Sequence, residues 1–242
     1  LGLPSDATYL AAFEAAGIEM QGDPLFFDPA TTDFAPVVTK LIANNPDIVC
    51  LDTCYSDYVH PIAEQLFQQG YKGQIISCTA DFYDQMIAKT SEEFMEGFVF
   101  QFPDFDDPAL NADNINFEDP NGFFAEFNKR FPGQWGAVSW EYASIMDLWK
   151  AAAEKAGSAE PDAVIAAMKD GKGKHAFGDA DWWGTDLFGI DNALVGDWPV
   201  VAIEGGKATI KEFRNIPAWY DKHGDLLVKH MKAYDQMWDQ RG

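Results

Sequence analysis

Two short segments of the chain place carboxylate, hydroxyl, thiol and aromatic side chains directly after apolar runs. The first segment follows residues 48–51 and contains Asp52, Thr53, Cys54 and Tyr55. The second follows residues 74–77 and contains Cys78, Thr79, Asp81 and Tyr83. In an open parallel sheet, ligands bind beyond the carboxyl ends of the strands, and consecutive strands are often neighbours. We therefore expect both segments on one rim, where they would bind a small polar molecule.

The same polar residues have a structural alternative. Asp52, Ser56 or Asp57 can cap the helix that follows the first segment, and Asp81 can cap a helix of its own. The prediction of ligand contact therefore applies to the two segments as a region and does not single out one residue.

Cys50, Cys54 and Cys78 raise three further possibilities: a thiol enzyme, a metal site and a disulfide. Cofactor-independent amino acid racemases need two thiols on opposite sides of the substrate, whereas Cys54 and Cys78 would share one rim. A metal site with His60 lacks paired C-x-x-C spacing. We therefore predict no enzyme, no catalytic residue, no metal and no cofactor, while a Cys54–Cys78 disulfide stays open.

The first half of the chain alternates helix and strand patterns. Helices are predicted at residues 6–16 and from Asp33 to about 45. A third helix follows the strand at 48–51 and ends at about residue 69, and a fourth follows Asp81. Strands are predicted at 18–20, 48–51, 74–77 and 98–100. This order predicts a parallel sheet with right-handed crossovers, and hence an α/β fold.

The second half is more irregular. A long loop is predicted at 103–120, and helices at 123–131, 137–156, 161–168 and 225–240. The helix at 137–156 should turn one apolar face inward, formed by Tyr142, Ile145, Met146, Trp149 and Ala153. Gly205-Gly206 between two apolar runs predicts a β-hairpin, while 171–196 is predicted to be irregular.

Charge excludes some partners. Lys and Arg number 17 and Asp and Glu 39, which gives a formal net charge of −22. Such a chain would be repelled by nucleic acid and by an anionic membrane surface. No apolar run reaches the ~20 residues that a membrane-spanning helix needs, so no direct membrane insertion is expected.

Several segments, in order, resemble the type I periplasmic solute-binding proteins of branched-chain amino acid ABC transporters. They include the run 31–41 (TTDFAPVVTKL), the run 45–49 (NPDIV), the helix at 62–70 and the return strand within 92–100. Trp140-Glu141-Tyr142-Ala143, the run 184–191, and Pro199 to Lys207 continue the resemblance. It covers about residues 1–213.

The resemblance implies a fold of two Rossmann-like lobes around a hinge, with most of the first, N-terminal lobe missing from this chain. Residues 1–103 would form the main part of the second lobe, and 104–139 would complete it. Residues 140–213 would cross the hinge and return to the first lobe. Residues 214–242 would be a C-terminal extension with its own helix.

The resemblance also implies roles for individual residues. Tyr55 matches an aromatic residue that covers the ligand, and the loop from Cys78 to Asp81 matches the place of an acidic residue that holds an amino group. Here Thr79 stands near that acidic position, with Asp81 two residues on, which argues against simple leucine-type specificity. Trp140 or Glu141 would contribute from the hinge.

The implied function is capture of a small polar organic ligand, an amino acid or related amide or carboxylate, for an ABC importer. The protein would be a periplasmic or extracytoplasmic monomer that closes around its ligand and docks on a membrane permease. The leading alternative is a ligand-sensing domain of a receptor or regulator with the same fold. A cysteine-dependent, racemase-like enzyme is a weaker alternative.

Overall fold

The fold divides into two compact units. A computed structural model describes residues 2–52, 54–136, 139–170, 173–185 and 193–240 of the chain. Unit 1 comprises Leu1–Phe102, Val200–Lys211 and Asp225–Gly242, and unit 2 comprises Pro103–Pro199 and Glu212–Gly224. The assignment of the four predicted segments to two lobes and a hinge stays a prediction.

Unit 1 contains a mainly parallel sheet. Strands β1 (Ile48–Leu51), β2 (Gln74–Ser77) and β3 (Val99–Phe100) are parallel neighbours in that order. The predicted strands are thus confirmed for all three, with β3 one residue shorter at its start. The unit 1 part of strand β6 (Ala193–Glu204) pairs antiparallel with β3, through Val99 with Ala202 and Phe100 with Val201.

Helices connect the strands of unit 1 as the α/β pattern predicts. They are α1 (Gly2–Ala16), α2 (Ala35–Leu41), α3 (Ser56–Gln68), α4 (Tyr83–Lys89) and α5 (Glu92–Met95). The Asp33 carboxylate accepts a hydrogen bond from the Ala35 backbone N–H at 3.0 Å. Ser91 caps α5 by accepting from the Phe94 N–H at 3.0 Å.

The strand predicted at 18–20 does not form. Residues 18–20 have no regular secondary structure, and Ile18 and Met20 are exposed. Two apolar residues in a run of three are too short a pattern to specify a strand. This stretch also pairs with no neighbouring strand among the described residues.

The core of unit 1 lies between the sheet and its helices. Its most buried members include Val38, Val49, Val59, Ala63, Leu66, Met86, Met95, Val201 and Ile203. Helices α2 and α3 turn most of their apolar side chains towards this core. Phe67 is an exception: it is 37% exposed and packs edge-on against Phe94 with ring centroids 5.3 Å apart.

The predicted hairpin is confirmed. Strand β7 (Lys207–Asn215) pairs with β6, and Gly205 and Gly206 have φ values of +54° and +76°. Two successive left-handed residues form the turn that matches the twist of a two-residue hairpin, and glycine adopts this geometry without steric cost.

Unit 2 is mainly helical, with a small antiparallel sheet. The loop after Pro103 contains a short 3₁₀ helix (Pro108–Asn111), followed by α6 (Pro120–Arg130), α7 (Ser139–Ala156) and α8 (Pro161–Lys169). Aromatic rings fill its interior: Phe105 is fully buried and meets Phe117 edge-on at 5.0 Å. Trp135 meets Phe124 in the same way at 4.7 Å.

The described part of the segment predicted to be irregular contains strands. β4 (Gly173–His175) pairs antiparallel with β5 (Gly178–Trp183), and β5 pairs with the unit 2 part of β6. In β5, Gly178 and Ala180 are buried while Asp179 and Asp181 are exposed. This alternation has the period of a strand, but the buried positions carry small residues, so hydrophobicity alone did not reveal it.

The predicted inward face of α7 is wrong. Ile145, Met146 and Trp149 are 56%, 62% and 42% exposed, whereas Ala152 is 5% exposed. The side chain of Tyr142 lies outside the described residues. The helix therefore buries Ala152 within unit 2 and leaves Ile145, Met146 and Trp149 in contact with solvent.

The C-terminal helix α9 spans Ile216–Ala233, so it begins nine residues before the predicted start at 225 and ends earlier than predicted. Leu227 and Met231 are its buried residues. Among the described helices, none combines the length and apolarity needed to cross a membrane.

Candidate functional site

The two predicted site segments begin at neighbouring positions of the unit 1 sheet. The parallel register pairs Cys50 with Ile76 and Leu51 with Ser77, so β1 and β2 end side by side. The segments at 52–55 and 78–83 therefore leave the sheet at the same edge, as the sequence predicts. We call these two segments the rim.

Hydrogen bonds join the two rim segments. The Cys78 thiol donates to the Cys54 carbonyl, with sulfur and oxygen 3.0 Å apart. The Ser56 hydroxyl donates to Asp81 Oδ2 at 3.3 Å. All three cysteines are free. The disulfide that the sequence left open is therefore not formed, because the Cys78 sulfur points at a backbone carbonyl.

Asp81 is held by three partners at the start of the second connection. Besides the Ser56 bond, its carbonyl lies 2.7 Å from His60 Nε2, and its N–H donates to Thr79 Oγ1 at 3.2 Å. It does not occupy the N-cap of α4. That position belongs to Phe82, whose φ is +56° and whose side chain makes no cap hydrogen bond. Through its hydrogen bond with Ser56, the carboxylate links the rim to α3.

Exposure differs among the predicted site residues. Tyr55 is 59% exposed, whereas Cys54 and Thr79 are buried at 6% and 5%. Asp52, Cys78, Asp81 and Tyr83 are half-buried. Tyr83 also packs against the unit 1 core. Tyr55 is therefore the rim side chain that offers the largest apolar surface to an incoming molecule.

The rim thiols are held in the neutral form. Burial raises the pKa of Cys54 to about 12, with Cys78 and Asp52 acting in the same direction. Burial, then the charge of Asp52, raises the pKa of Cys78 to about 11. The pKa of Cys50 is also raised, first by burial and then by Asp52. Since the thiolate is the nucleophile, these shifts argue against a thiol-dependent enzyme at this rim.

Tyr9 of α1 is a rim neighbour that sequence reasoning missed. Burial raises its pKa above the ordinary tyrosine value, and Cys50, Asp52, Cys78 and Cys54 add to the effect. Asp52 acts on Tyr9 and on all three thiols. The Tyr9 hydroxyl therefore lies in the same electrostatic environment as the rim. No local pattern signals this, because it depends on how α1 packs on the sheet.

Three other residues at the rim were not singled out for binding. Ser56 and His60, both on α3, contact Asp81 as described above. Gln101, just after β3, donates to the Cys78 carbonyl at 3.1 Å. The segment after β3 therefore also contacts the rim. The strand order could have predicted this contact, because β3 is the parallel neighbour of β2.

The side chains of three predicted site residues lie outside the described part of the chain. Thr53 lies outside the described residues, as do the side chains of Trp140 and Glu141. The backbone of Trp140 and Glu141 belongs to the first turn of α7, in unit 2. Within the described residues, no group of three or more His, Cys, Asp or Glu side chains is arranged to hold a metal ion. The metal site considered for Cys50, Cys54, His60 and Cys78 is therefore not supported.

Comparison with known proteins identifies a family for this fold. A family described as periplasmic binding protein matches residues 1–207. No curated protein sequence shows significant similarity to this chain.

Three solved structures share the fold. A leucine-binding protein from Thermotoga maritima superimposes with a TM-score of 0.64 at 18% identity, covering 88% of this chain and 57% of its own. A leucine-, isoleucine-, valine-, threonine- and alanine-binding protein from Brucella ovis, in its closed conformation, gives 0.65 at 16%, covering 87% and 54%. An ABC transporter solute-binding protein from R. palustris, in complex with 4-hydroxybenzoate, gives 0.65 at 18%, covering 88% and 57%.

The chain therefore spans a little over half the length of these solved proteins. The family match extends over most of the chain, and the similarity of fold agrees with it. The chain belongs to the periplasmic binding protein family and has its type I α/β fold.

Proposed function

We propose that this chain is part of the extracytoplasmic substrate-binding component of an ABC importer, which captures a small polar organic ligand by hinge closure. The observation that carries the proposal is the family match over residues 1–207, within which β1 and β2 present the rim. The protein would act as a monomer and deliver its ligand to a membrane permease.

The chemistry of the rim favours a ligand that donates hydrogen bonds at this side. Asp52 and Asp81 supply carboxylates, and Tyr55 supplies an exposed aromatic face. Neutral thiols supply only weak donors and acceptors. An ammonium or amide N–H group would complement these carboxylates, since charge-assisted hydrogen bonds are the stronger ones. An amino acid or a related amide fits this description, with Tyr55 stacking against its apolar part and Trp140 or Glu141 contributing from the hinge.

Hinge closure would depend on contacts that the ligand makes in the closed form and not in the open form. A ligand shifts an open–closed equilibrium only by the difference between its affinities for the two forms. Hydrogen bonds from the rim are available in both forms, so contacts with the opposite lobe would have to supply that difference. Ligand capture and permease docking would then be coupled through the closed form.

A panel of small molecules tests the proposal. The panel contains leucine, isoleucine, valine, threonine, alanine, 4-hydroxybenzoate and simple amides, the first six of which appear in the names of the similar structures. A ligand at about 100 times its dissociation constant should stabilise the folded chain by about 2.7 kcal/mol, which raises its melting temperature. Calorimetry then gives the affinity.

Variants locate the binding. Tyr55→Ala should weaken binding about tenfold with an unchanged melting temperature, because Tyr55 is exposed and its ring would be lost from the ligand contact. Asp81→Asn keeps an acceptor for Ser56 but removes the charge, so it should weaken an ammonium ligand selectively. Phe26→Ala, equally exposed at 60% in unit 1, is the control and should bind as the parent does. The proposal fails if no panel member raises the melting temperature, and the site fails if both rim variants retain full affinity.

A further inference from the structure

The C-terminal segment 225–240 makes specific polar contacts with α1 in unit 1. Lys229 Nζ lies 2.7 Å and 2.8 Å from the two carboxylate oxygens of Glu14. His230 Nε2 lies 2.8 Å from Glu14 Oε2. One carboxylate near the end of α1 therefore receives two side chains from successive positions of α9.

A second contact lies nearer the start of α1 and is more buried. The Tyr234 hydroxyl hydrogen-bonds to the Asp6 carboxylate, and this bond, followed by burial, raises the pKa of Tyr234 to about 12. Asp6 is only 8% exposed, and its Oδ2 has no hydrogen-bond partner within the described residues. The Tyr234 hydroxyl is thus a partner that this buried carboxylate cannot easily replace.

Apolar contacts accompany these bonds. Leu227 and Met231 are 1% and 5% exposed, and they lie four residues apart on one face of α9. The segment is therefore packed into unit 1 at this point and does not merely touch α1 through charged side chains.

The same helix α1 is electrostatically coupled to the rim. Asp6 lies one helical turn before Tyr9, and its charge raises the pKa of Cys50 in β1. Tyr9 is half-buried, and the charges of Asp52 and the thiols act on its pKa, as described above. A shift of α1 would therefore move the Tyr9 hydroxyl relative to the rim and change how much of Cys50 and Cys78 is covered.

We propose that segment 225–240 is a positioning element, the C-terminal clamp, which holds α1 and thereby Tyr9 against the rim. Glu14, Lys229 and Tyr234 are its positioning residues. The clamp lies beyond residue 207, where the family match ends. Its effect on ligand affinity rests on the proposed function, whereas its effect on the position of α1 does not.

Alkylation of the rim cysteines tests the clamp without a ligand. The intact chain is treated with N-ethylmaleimide at mildly alkaline pH, and the labelling rates of Cys50, Cys54 and Cys78 are followed by peptide mass spectrometry. Opening of α1 should expose these thiols locally, so weakening the clamp should raise their labelling rates before the protein unfolds globally.

The two contacts should differ in size. Tyr234→Phe leaves Asp6 without its partner, and we expect Cys50 and Cys78 to label about tenfold faster. Glu14→Gln removes an exposed ion pair and should give only a two- to fivefold increase, roughly what such pairs contribute. The charge swap Glu14→Lys with Lys229→Glu should return the rates towards those of the parent.

A matched control separates the clamp from a general loss of charge. Glu126 on α6 also accepts hydrogen bonds from two side chains, Lys129 and Arg130, and has similar exposure, 46% against 40% for Glu14. Glu126→Gln should leave all three labelling rates unchanged. Far-UV circular dichroism shows that each variant remains folded, and Glu14→Gln, a surface change, serves if Tyr234→Phe does not fold.

The outcomes distinguish the clamp from the proposed function. Parent-like labelling in both Tyr234→Phe and Glu14→Gln overturns the clamp, even if a panel ligand binds. Faster labelling with retained fold supports it, even if no panel ligand binds. Where a ligand has been found, Tyr234→Phe should also raise its dissociation constant more than Glu126→Gln does, and equal constants would overturn the link from the clamp to the rim.

Discussion

Helices α3 and α7 carry similar apolar patterns but meet different surroundings. In α3, the apolar side chains at the helical period are buried: Val59, Ile62, Ala63 and Leu66 are at most 2% exposed. In α7, Ile145, Met146 and Trp149 form a comparable face, yet each is at least 42% exposed. Helical periodicity identifies side chains that share a face, whereas their burial depends on whether another element covers that face.

The difference follows from what packs beside each helix. α3 lies on the parallel sheet of unit 1, which offers apolar surface from both β1 and β2. α7 packs against α8 in unit 2, and its buried contact there is formed by small residues such as Ala152. An exposed apolar face of this kind is a property of tertiary structure that no local sequence window contains.

The largest effect should come from the core of α3. Leu66→Ala should lower the free energy of unfolding by about 2–5 kcal/mol, because a fully buried leucine is replaced by a cavity. Urea denaturation followed by circular dichroism measures this value. A loss below about 1 kcal/mol would mean that α3 is no better covered than α7, and the contrast between the helices would disappear.

Much of unit 1 was predictable because its signals are local. The apolar runs at β1 and β2 and the Gly205-Gly206 turn specify strands and a hairpin almost without tertiary information. Neighbouring parallel strands then place their following segments on one edge, which is why the rim could be predicted from strand order alone.

The contributions of α1 to the site were not predictable. Tyr9 precedes the rim by more than forty residues, and its place beside Asp52 depends on the packing of α1. In α1, the structure buries Ala7 and Ala11 completely and leaves Ala16 exposed. Alanine-rich helices carry too weak a hydrophobic contrast to fix which face is buried.

Alkaline pH should weaken the unit that contains α3 through its rim thiols. A cysteine in an unfolded chain has a pKa of about 8.5, whereas Cys78 and Cys54 have values of about 11 and 12 in the fold. The raised pKa means that the folded state holds its proton more tightly. The associated stability is complete below about pH 8.5 and is lost as pH rises towards 11.

Each of these two thiols should therefore make unfolding at about pH 10 cost about 1–2 kcal/mol less than at neutral pH. Cys78→Ser should reduce this dependence, since serine does not ionise in that range. Tyr220 of unit 2 also has a pKa raised by burial, but ordinary tyrosine ionises near pH 10, so its contribution begins later. Urea titrations of the parent and of Cys78→Ser at both pH values decide the matter, and identical pH dependence in the two proteins would remove the thiol explanation.

The smallest effect should come from α7. Met146→Lys should change the free energy of unfolding by no more than about 0.5 kcal/mol, because methionine and lysine have similar helix propensities and an exposed side chain loses little packing. Met146 is 62% exposed, so its removal opens no cavity in unit 2. The same urea titration used for Leu66→Ala provides the measurement. If the free energy of unfolding fell by 2 kcal/mol or more, this face of α7 would be covered in solution. Both helices would then be covered, and they would differ only in what covers them.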